Sequence, residues 1–453
     1  MILLTHGYFL NEDPKEQLIM KPYVPLGILY ISSYLEEKGI ENKVFDSTFS
    51  SFEKLQTELI NTQPPIVAIY TNLMTKLNVL KIISFIKKEL KNSKVILGGP
   101  EIRYYSLNYL NYGADMVVIG EGEETMFEIC SHFKINQKLP EDCSGTAFLK
   151  NNTLVTTKER TLIKDINTLP FPNRDKINFH YYLDTWKKYH GKSMISVSTM
   201  RGCPYTCKWC SRAVYGGTYR RRSPELVAKE LLQIKMNYNP DAVWFVDDVF
   251  TISHKWLKEF AASVKETNAL IPYEIITRAD RMNEEVVKLL KESGCFRVWI
   301  GAESGSQRII DSMDRRVSVE MVKEMILLSK KNGIEAGTFI MLGYPGETKK
   351  DIKETIKHLQ ASGPDYYTVT IAYPIKGTPL YNEIEKEIYT EYNFSTSTDR
   401  DIDFKRTHSK NYYKYAVRWV YNEVNYQREN NAFNKIKIKL KSQLAQILMG
   451  LNK

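Results

Sequence analysis

No stretch of the chain approaches the ~18 apolar residues that a membrane-spanning helix needs. Residues 1–7 lack the basic n-region and small-residue cleavage site of a secretory signal. They read instead as a first buried strand, and a cytoplasmic protein is expected. That strand is not followed by GxGxxG, which argues against a nicotinamide or flavin dinucleotide domain. Cysteine is scarce, with six residues in 453, and neither paired CxxC motifs nor CxxC with HxxxH occurs. The usual signature of a zinc-stabilised nucleic-acid module is therefore missing. In a reducing compartment, thiols set close together bind metal more readily than they form disulfides.

What is present suits a globular protein of two or three domains. Hydrophobic residues make up 43% and charged residues 26%, enough for more than one core. The net charge is +10, from 63 Lys and Arg against 53 Asp and Glu. Such an excess fits a nucleic-acid or anionic-surface partner. Here most lysines alternate with Glu along helical stretches, which favours solvated helix faces, and no nucleic acid is expected.

Half of the cysteines fall in one stretch, Met200-Arg201-Gly202-Cys203-Pro204-Tyr205-Thr206-Cys207-Lys208-Trp209-Cys210. Thiolates this close hold a soft metal or an iron–sulfur cluster. Three ligands are one short of a closed cluster or a structural zinc, so one position is open to an outside ligand. Cys130 and Cys143 follow no ligand spacing and read as buried small hydrophobes.

Over residues 1–145, strand and helix patterns alternate. Strands are expected at 2–5, 43–45, 66–70, 94–97 and 116–119, with a helix opened by Pro25-Leu26-Gly27 and another over 79–90. The rhythm predicts a doubly wound parallel sheet of Rossmann-like type. Ligands of such sheets bind past the carboxyl ends of the strands. Thr71, Asn72, Gly98, Gly99, Pro100, Gly120, Glu121 and Gly122 fall there. The glycines either let backbone approach a ligand or simply make tight turns. Residues 146–190, with Asn151-Asn152 and the stiff Leu169-Pro170-Phe171-Pro172, read as a linker.

The rhythm restarts with longer helices. Strands are expected at 194–198, 242–246, 273–277, 297–302, 337–342 and 366–372, with helices at 224–236, 255–265, 284–292, 319–331 and 350–360. Ser223, Ser253, Asn283 and Ser318 stand where N-caps belong. This pattern predicts a full or partial βα barrel over 191–385, with six strands a partial (β/α)6 barrel, followed by a helical region over 386–453. Its strand ends lead into the cysteine stretch, Asp247-Asp248-Val249-Phe250, Thr277-Arg278, Gly301-Ala302-Glu303-Ser304-Gly305 and Gly343-Tyr344-Pro345-Gly346-Glu347-Thr348. Barrel chemistry gathers at that rim, so these polar groups are expected to face a ligand.

Cys203, Cys207 and Cys210, with Trp209 before the third, resemble the CxxxCxxC signature of radical S-adenosylmethionine (SAM) enzymes. Runs 247–250, 301–305 and 343–348 are similar to later motifs of that family, and the likeness spans about 193–380. Residues 1–145 resemble the cobalamin-binding domain of one large subgroup, through Pro25-Leu26-Gly27, Tyr30-Ile31, Gly98-Gly99-Pro100 and Gly120-Glu121-Gly122-Glu123-Glu124. The resemblance implies a [4Fe–4S] cluster on the three cysteines, with SAM chelating the fourth iron. Reductive cleavage would then yield methionine and a 5′-deoxyadenosyl radical. It also implies SAM contacts from Trp209, Asp247, Glu303 and Ser304, and cobalamin at the eight strand-end residues of the first domain. No catalytic residue beyond the cluster is assigned. The Asp-x-His-x-x-Gly motif that supplies cobalt with a histidine in many cobalamin proteins is absent, so no lower histidine ligand is expected.

In the subgroup the usual outcome is methylation of an unactivated carbon, while other members close rings or rearrange. A methylthiolating enzyme would need a second cysteine trio in the first domain, which holds only Cys130 and Cys143. A small-molecule or peptide substrate and an electron donor such as flavodoxin or ferredoxin are implied. Arg212, Arg220, Arg221 and Arg222 follow the cluster loop and either attract an anionic substrate or form a solvated basic loop. Residues 435–451 alternate Lys with Ile and Leu. They read as an amphipathic helix packed on the barrel, with peripheral membrane contact as the lesser reading. A metal-stabilised basic binding protein without catalysis is the reading from another class; the polar barrel rim speaks against it.

Overall fold

The computed structural model describes residues 1–453. Its first sheet holds β1 (Ile2–His6), β2 (Asn42–Phe45), β3 (Ile66–Tyr70), β4 (Lys94–Gly98), β5 (Met116–Val118), β6 (Thr146–Lys150) and β7 (Thr153–Thr156). The order is β2-β1-β3-β4-β5-β6-β7, parallel through β5. The parallel strands are short apolar runs, as expected where helices cover both faces. Strand order reverses between β1 and β3, which makes a crevice at their carboxyl ends.

The antiparallel β6 and β7 lie where the sequence suggested a linker. Asn151 and Asn152 both take positive φ, 51° and 61°, and turn a two-residue hairpin. Asparagine tolerates that region and such turns match strand twist, so the Asn-Asn pair between strand formers was the overlooked signal. The helix Phe179–His190, also in that stretch, ties the halves together. Tyr182 donates to Asp46 Oδ2 at 2.9 Å, and Trp186 Nε1 donates to the Pro22 carbonyl at 2.8 Å.

The second sheet begins at β8 (Met194–Val197) and is followed by a ribbon of β9 (Met200–Arg201) with β10 (Arg220–Arg221). It continues through β11 (Ala242–Phe245), β12 (Tyr273–Thr277), β13 (Cys295–Glu303), β14 (Glu335–Leu342) and β15 (Tyr366–Ile371). All six main strands are parallel and lie in chain order, with β8 and β15 at the open edges. This is the partial barrel that the sequence predicted. Ser223, Ser253, Asn283 and Ser318 accept the backbone N–H three residues on, as N-caps. Each cap stabilises its helix by about 1 kcal/mol.

One apolar core runs from Leu4 and Ile96 in the first sheet to Ile300 and Leu342 in the second, so the halves pack as one body. The tail helix Lys410–Arg428 packs on the helix Lys349–Ser362 and on β15. The last helix, Ala432–Leu451, lies against Lys410–Arg428 rather than directly on the barrel. No helix is long and apolar enough to cross a membrane.

Candidate functional site

The carboxyl ends of the two sheets face each other across a cavity of about 690 Å³, well within the range of small-molecule sites. From the first sheet, Asn72, Gly98, Gly99, Pro100, Gly120, Glu121 and Gly122 line it. Thr71, expected among them, does not. Its N–H donates to the Gly98 carbonyl at 2.8 Å and its hydroxyl lies 3.4 Å from Tyr109 Oη, inside the helix layer.

The glycines divide into two kinds. A Cβ on Gly99, at φ +123°, would stand 2.1 Å from the Thr71 carbonyl oxygen. A Cβ on Gly122 would stand 2.8 Å from Ile31 Cδ1. These two serve close packing. Gly98 and Gly120 would meet nothing nearer than 3.9 Å, so they leave bare backbone on the cavity wall.

His6 also lines the cavity, which the sequence did not indicate. The Tyr8 N–H donates to Nδ1 at 3.2 Å, while Nε2 lies 3.0 Å from Asp46 Oδ1 and 3.3 Å from the Ser47 N–H. Both ring nitrogens are occupied, and neither is free to act as a metal ligand.

On the barrel side the wall is the loop after β8, including Cys203. Arg201 fixes where that loop starts. Its Nη1 donates to Glu121 Oε1 at 2.8 Å, its Nη2 donates to Glu123, and the group lies between the Tyr30 and Tyr215 rings. Glu121 Oε2 accepts from Ile163 N and Arg220 Nη1, each at 2.8 Å. The Glu121 side chain is thus spent on joining the domains. Gly202, at φ +84°, packs so tightly that a Cβ would come 1.9 Å from the Thr218 carbonyl.

The six cysteines are all free thiols. Burial pushes the Cys203 thiol up, and pushes Cys210 up to about 12 with help from the negative groups Cys207 and Glu303. Cys210 has an exposed sulfur-bearing side chain although protein surrounds it on most sides. Two buried guanidiniums converge on Cys207: Arg278 Nη1 and Arg315 Nη1 each donate to its Sγ at 3.6 Å. Arg278 Nη2 donates to the Arg315 carbonyl at 2.8 Å and its plane lies 3.8 Å from the Tyr205 ring centroid. Sequence reading assigned neither arginine a role. Arg278 was visible as a strand-end residue, whereas Arg315 lies in a loop with no motif.

The other expected SAM contacts separate. Asp247 is buried and saturated: it accepts from Thr199 N at 2.7 Å, Met200 N at 3.2 Å and the Thr199 hydroxyl, and pairs with Arg221 at 3.4 Å. Its neighbour Asp248 opens into the cavity with no protein partner, and burial together with Asp247 raises its carboxyl. Glu303, at φ +65° on a bulge of β13, lies 3.9 Å from Arg315 and is also raised by burial. Ser304 turns away from the site, its hydroxyl 3.2 Å from Thr355 Oγ1. Trp209 packs against the small apolar cluster that contains Tyr344, Leu380 and Phe404, with Arg315 beside its ring. Glu347 does not face a ligand; it is buried and closes its own loop by accepting from Gly343 N at 2.6 Å. Arg220, Arg221 and Arg222 are neither solvated nor free, being bonded to Glu121, Asp247 and the Leu169 carbonyl. Arg212 faces the cavity without an ion-pair partner.

The donor set can be tested against an iron–sulfur cluster. Three thiols lie on one loop beside two cations that would offset thiolate charge. No three His, Cys, Asp or Glu side chains are gathered closely enough to hold a single metal ion. Three soft thiolate donors on one loop, with no fourth beside them, are the donor set that an iron–sulfur cluster with one open iron takes. The cavity, with bare backbone at Gly98 and Gly120, fits a large planar cofactor on the first domain.

Comparison with known proteins agrees. Residues 197–359 match the radical SAM superfamily model and residues 20–129 match the B12 binding domain. The chain is 29% identical to an uncharacterized methyltransferase of Pyrococcus horikoshii over 85% of this chain and 83% of that protein. It is 25% identical to the anaerobic magnesium-protoporphyrin IX monomethyl ester cyclase of Cereibacter sphaeroides, over 82% of this chain and 63% of the relative. Its fold is similar to the radical SAM methyltransferase TsrM of Kitasatospora setae, solved with cobalamin and a [4Fe–4S] cluster. That likeness has a TM-score of 0.70 and 18% identity, and covers 85% of this chain and 74% of that one. A radical SAM domain implies a [4Fe–4S] cluster and SAM, and a B12 binding domain implies cobalamin.

Proposed function

We propose that this chain, a radical SAM enzyme with a B12-binding domain, methylates an unactivated carbon of a small-molecule or peptide substrate. The observation that supports this reading best is the shared cavity: Cys203 on one wall faces the strand ends of the B12-binding domain on the other. Initiation and methyl supply then meet at one place. When bound, the cluster and SAM supply homolytic chemistry at carbon, and cobalamin supplies the methyl group.

Cys203, Cys207 and Cys210 would hold the cluster. Arg278 and Arg315 would hold the charge of the Cys207 thiolate and keep that side of the loop rigid. Asp247 orients Thr199 and Met200 at the entry to the loop, which moves the expected SAM contact to Asp248, whose carboxylate is free for an ammonium. Glu303 lies beside Cys210, and Trp209 belongs to the loop itself. The first-domain wall would carry cobalamin on Asn72, Gly98, Pro100 and Gly120; His6, on the same wall, has both ring nitrogens engaged by protein. Apolar lining such as Met126, Val214 and Ile276 excludes water from a site that handles radicals. A low-potential one-electron donor such as flavodoxin or ferredoxin would start each turnover.

Anaerobic reconstitution tests the reading. It should yield about four irons per chain, retained cobalamin, and reductive formation of 5′-deoxyadenosine. Cys207→Ala should lose the iron. Zinc in place of iron, or no cleavage of SAM, would overturn it. The second reading, ring closure without methyl transfer, draws on the similarity to the cyclase. Isotope-labelled methyl-SAM separates the two: label in the product means methylation, and an unlabelled cyclised product means the alternative.

A further inference from the structure

The last helix, Ala432–Leu451, carries an apolar stripe that nothing in the chain covers. Phe433, Ile436, Leu440, Leu444, Ile447 and Leu451 are each 55–76% exposed. Their spacing of three and four residues sets them along one helix face. The opposite face is fixed. Ser442, Ala445 and Met449 are buried, and the Ser442 hydroxyl and Lys439 Nζ both reach Glu423 on the neighbouring helix, the latter at 3.3 Å. The stripe cannot roll inward without breaking these contacts.

Charge indicates what covers it. Residues 430–453 contain five lysines and no Asp or Glu. Of these lysines, Lys439 alone makes an ion pair. At 100° per residue, Lys437 and Lys441 flank the stripe on one side. A helix with a continuous apolar face, lysines beside it and no acid is built to lie in a membrane interface and attract anionic headgroups. A second copy of the chain is a poorer fit. The stripe is about 30 Å long and about 10 Å wide, roughly 300 Å² per partner, against about 800 Å² in a stable interface. Antiparallel two-fold pairing would also bring the rows formed by Lys437 and Lys441 together.

We propose that Ala432–Leu451 docks the enzyme on an anionic lipid surface, with the six apolar side chains inserted and the lysines at headgroup level. The helix lies in the interface rather than spanning it. Docking of this helix does not depend on which reaction the barrel catalyses.

The test is co-sedimentation of the full chain with phosphatidylcholine vesicles that contain phosphatidylglycerol, and with vesicles of phosphatidylcholine alone. Binding to the anionic vesicles should be at least about tenfold stronger and should weaken with salt. Ile436→Ser with Leu440→Ser and Leu444→Ser should abolish binding, and Lys437→Glu with Lys441→Glu should weaken it about tenfold or more. Both variants should stay folded with a thermal midpoint within a few degrees of the parent's, because the changed side chains are mostly exposed and the buried contacts of Ser442, Ala445 and Met449 are kept. Equal binding to neutral vesicles, no binding at all, or binding that survives the triple substitution would overturn the proposal. So would a concentration-dependent dimer in analytical ultracentrifugation that the triple substitution dissolves, since the stripe would then belong to a second copy.

Discussion

Arg201 Nη1 donates to Glu121 Oε1 at 2.8 Å, joining the residue two before Cys203 to the loop after β5. Both side chains are buried, and Arg220 and the Ile163 N–H hold the second Glu121 oxygen. Removing one member of a buried pair leaves the other charge uncompensated, which costs about 3–5 kcal/mol. Glu121→Ala should therefore destabilise the fold by about that amount in urea unfolding. Because the pair links the two cofactor walls, iron content and cobalamin retention should fall together. Loss of cobalamin with iron and stability unchanged would show that Glu121 serves only the ligand.

Adjacent aspartates should give opposite phenotypes. Asp247 is locked to Thr199, Met200 and Arg221, so Asp247→Asn should lower the unfolding free energy by about 3 kcal/mol or more. Asp248 bonds to nothing in the protein and faces the cavity. Asp248→Asn should leave the thermal midpoint unchanged and weaken SAM binding about 10–100-fold, the range for a hydrogen bond to a charged group. Equal loss of stability in both variants would contradict this division.

These residues show where sequence legibility ends. Strand and helix periodicities, and caps such as Ser223 and Asn283, are local, so both sheets and the barrel helices could be read from the chain. The cysteine spacing is local too. Which of two neighbouring aspartates turns inward depends on strand pleat and on Arg221, which is 26 residues away in sequence from its partner Asp247. The Glu121–Arg201 pair spans 80 residues and replaces a ligand role suggested by position alone. Arg315, in a loop without a motif, reaches Cys207 only through the folding of the barrel. Glycine at a strand end was likewise ambiguous: Gly99 packs on Thr71, whereas Gly120 faces open space.

Arg278 and Arg315 each place a guanidinium 3.6 Å from Cys207 Sγ. A fixed cation near a cluster favours the reduced, more negative state. Replacing either one with Met should lower the cluster's midpoint potential on the order of 50–100 mV, as a charge a few ångströms away in a partly screened interior implies. An anaerobic redox titration followed by electron paramagnetic resonance checks it. The double substitution should shift the potential further than either single one. An unchanged potential with intact iron content would restrict the arginines to holding Tyr205 and the loop backbone.

Glu347 gives the loop after β14 a pH dependence. Burial pushes its carboxyl up to about 8 from an ordinary value of 4.5, although the Gly343 N–H donates to Oε2 at 2.6 Å. Oε1 is buried without a partner, so the neutral acid is the form the fold prefers. In the folded chain Glu347 holds a proton that the unfolded chain has released. Its contribution to stability is fully present below about 4.5 and is lost as pH rises through about 8. Glu347→Gln keeps the shape and the acceptor for Gly343 but cannot ionise. The variant should therefore lack the fall in stability, on the order of a few kcal/mol, that the parent shows between about pH 5 and about pH 8.5. Urea midpoints at the two ends measure it. If parent and variant fall equally, the pH dependence belongs to other groups, and Glu347 ionises in the folded state as readily as in the unfolded one.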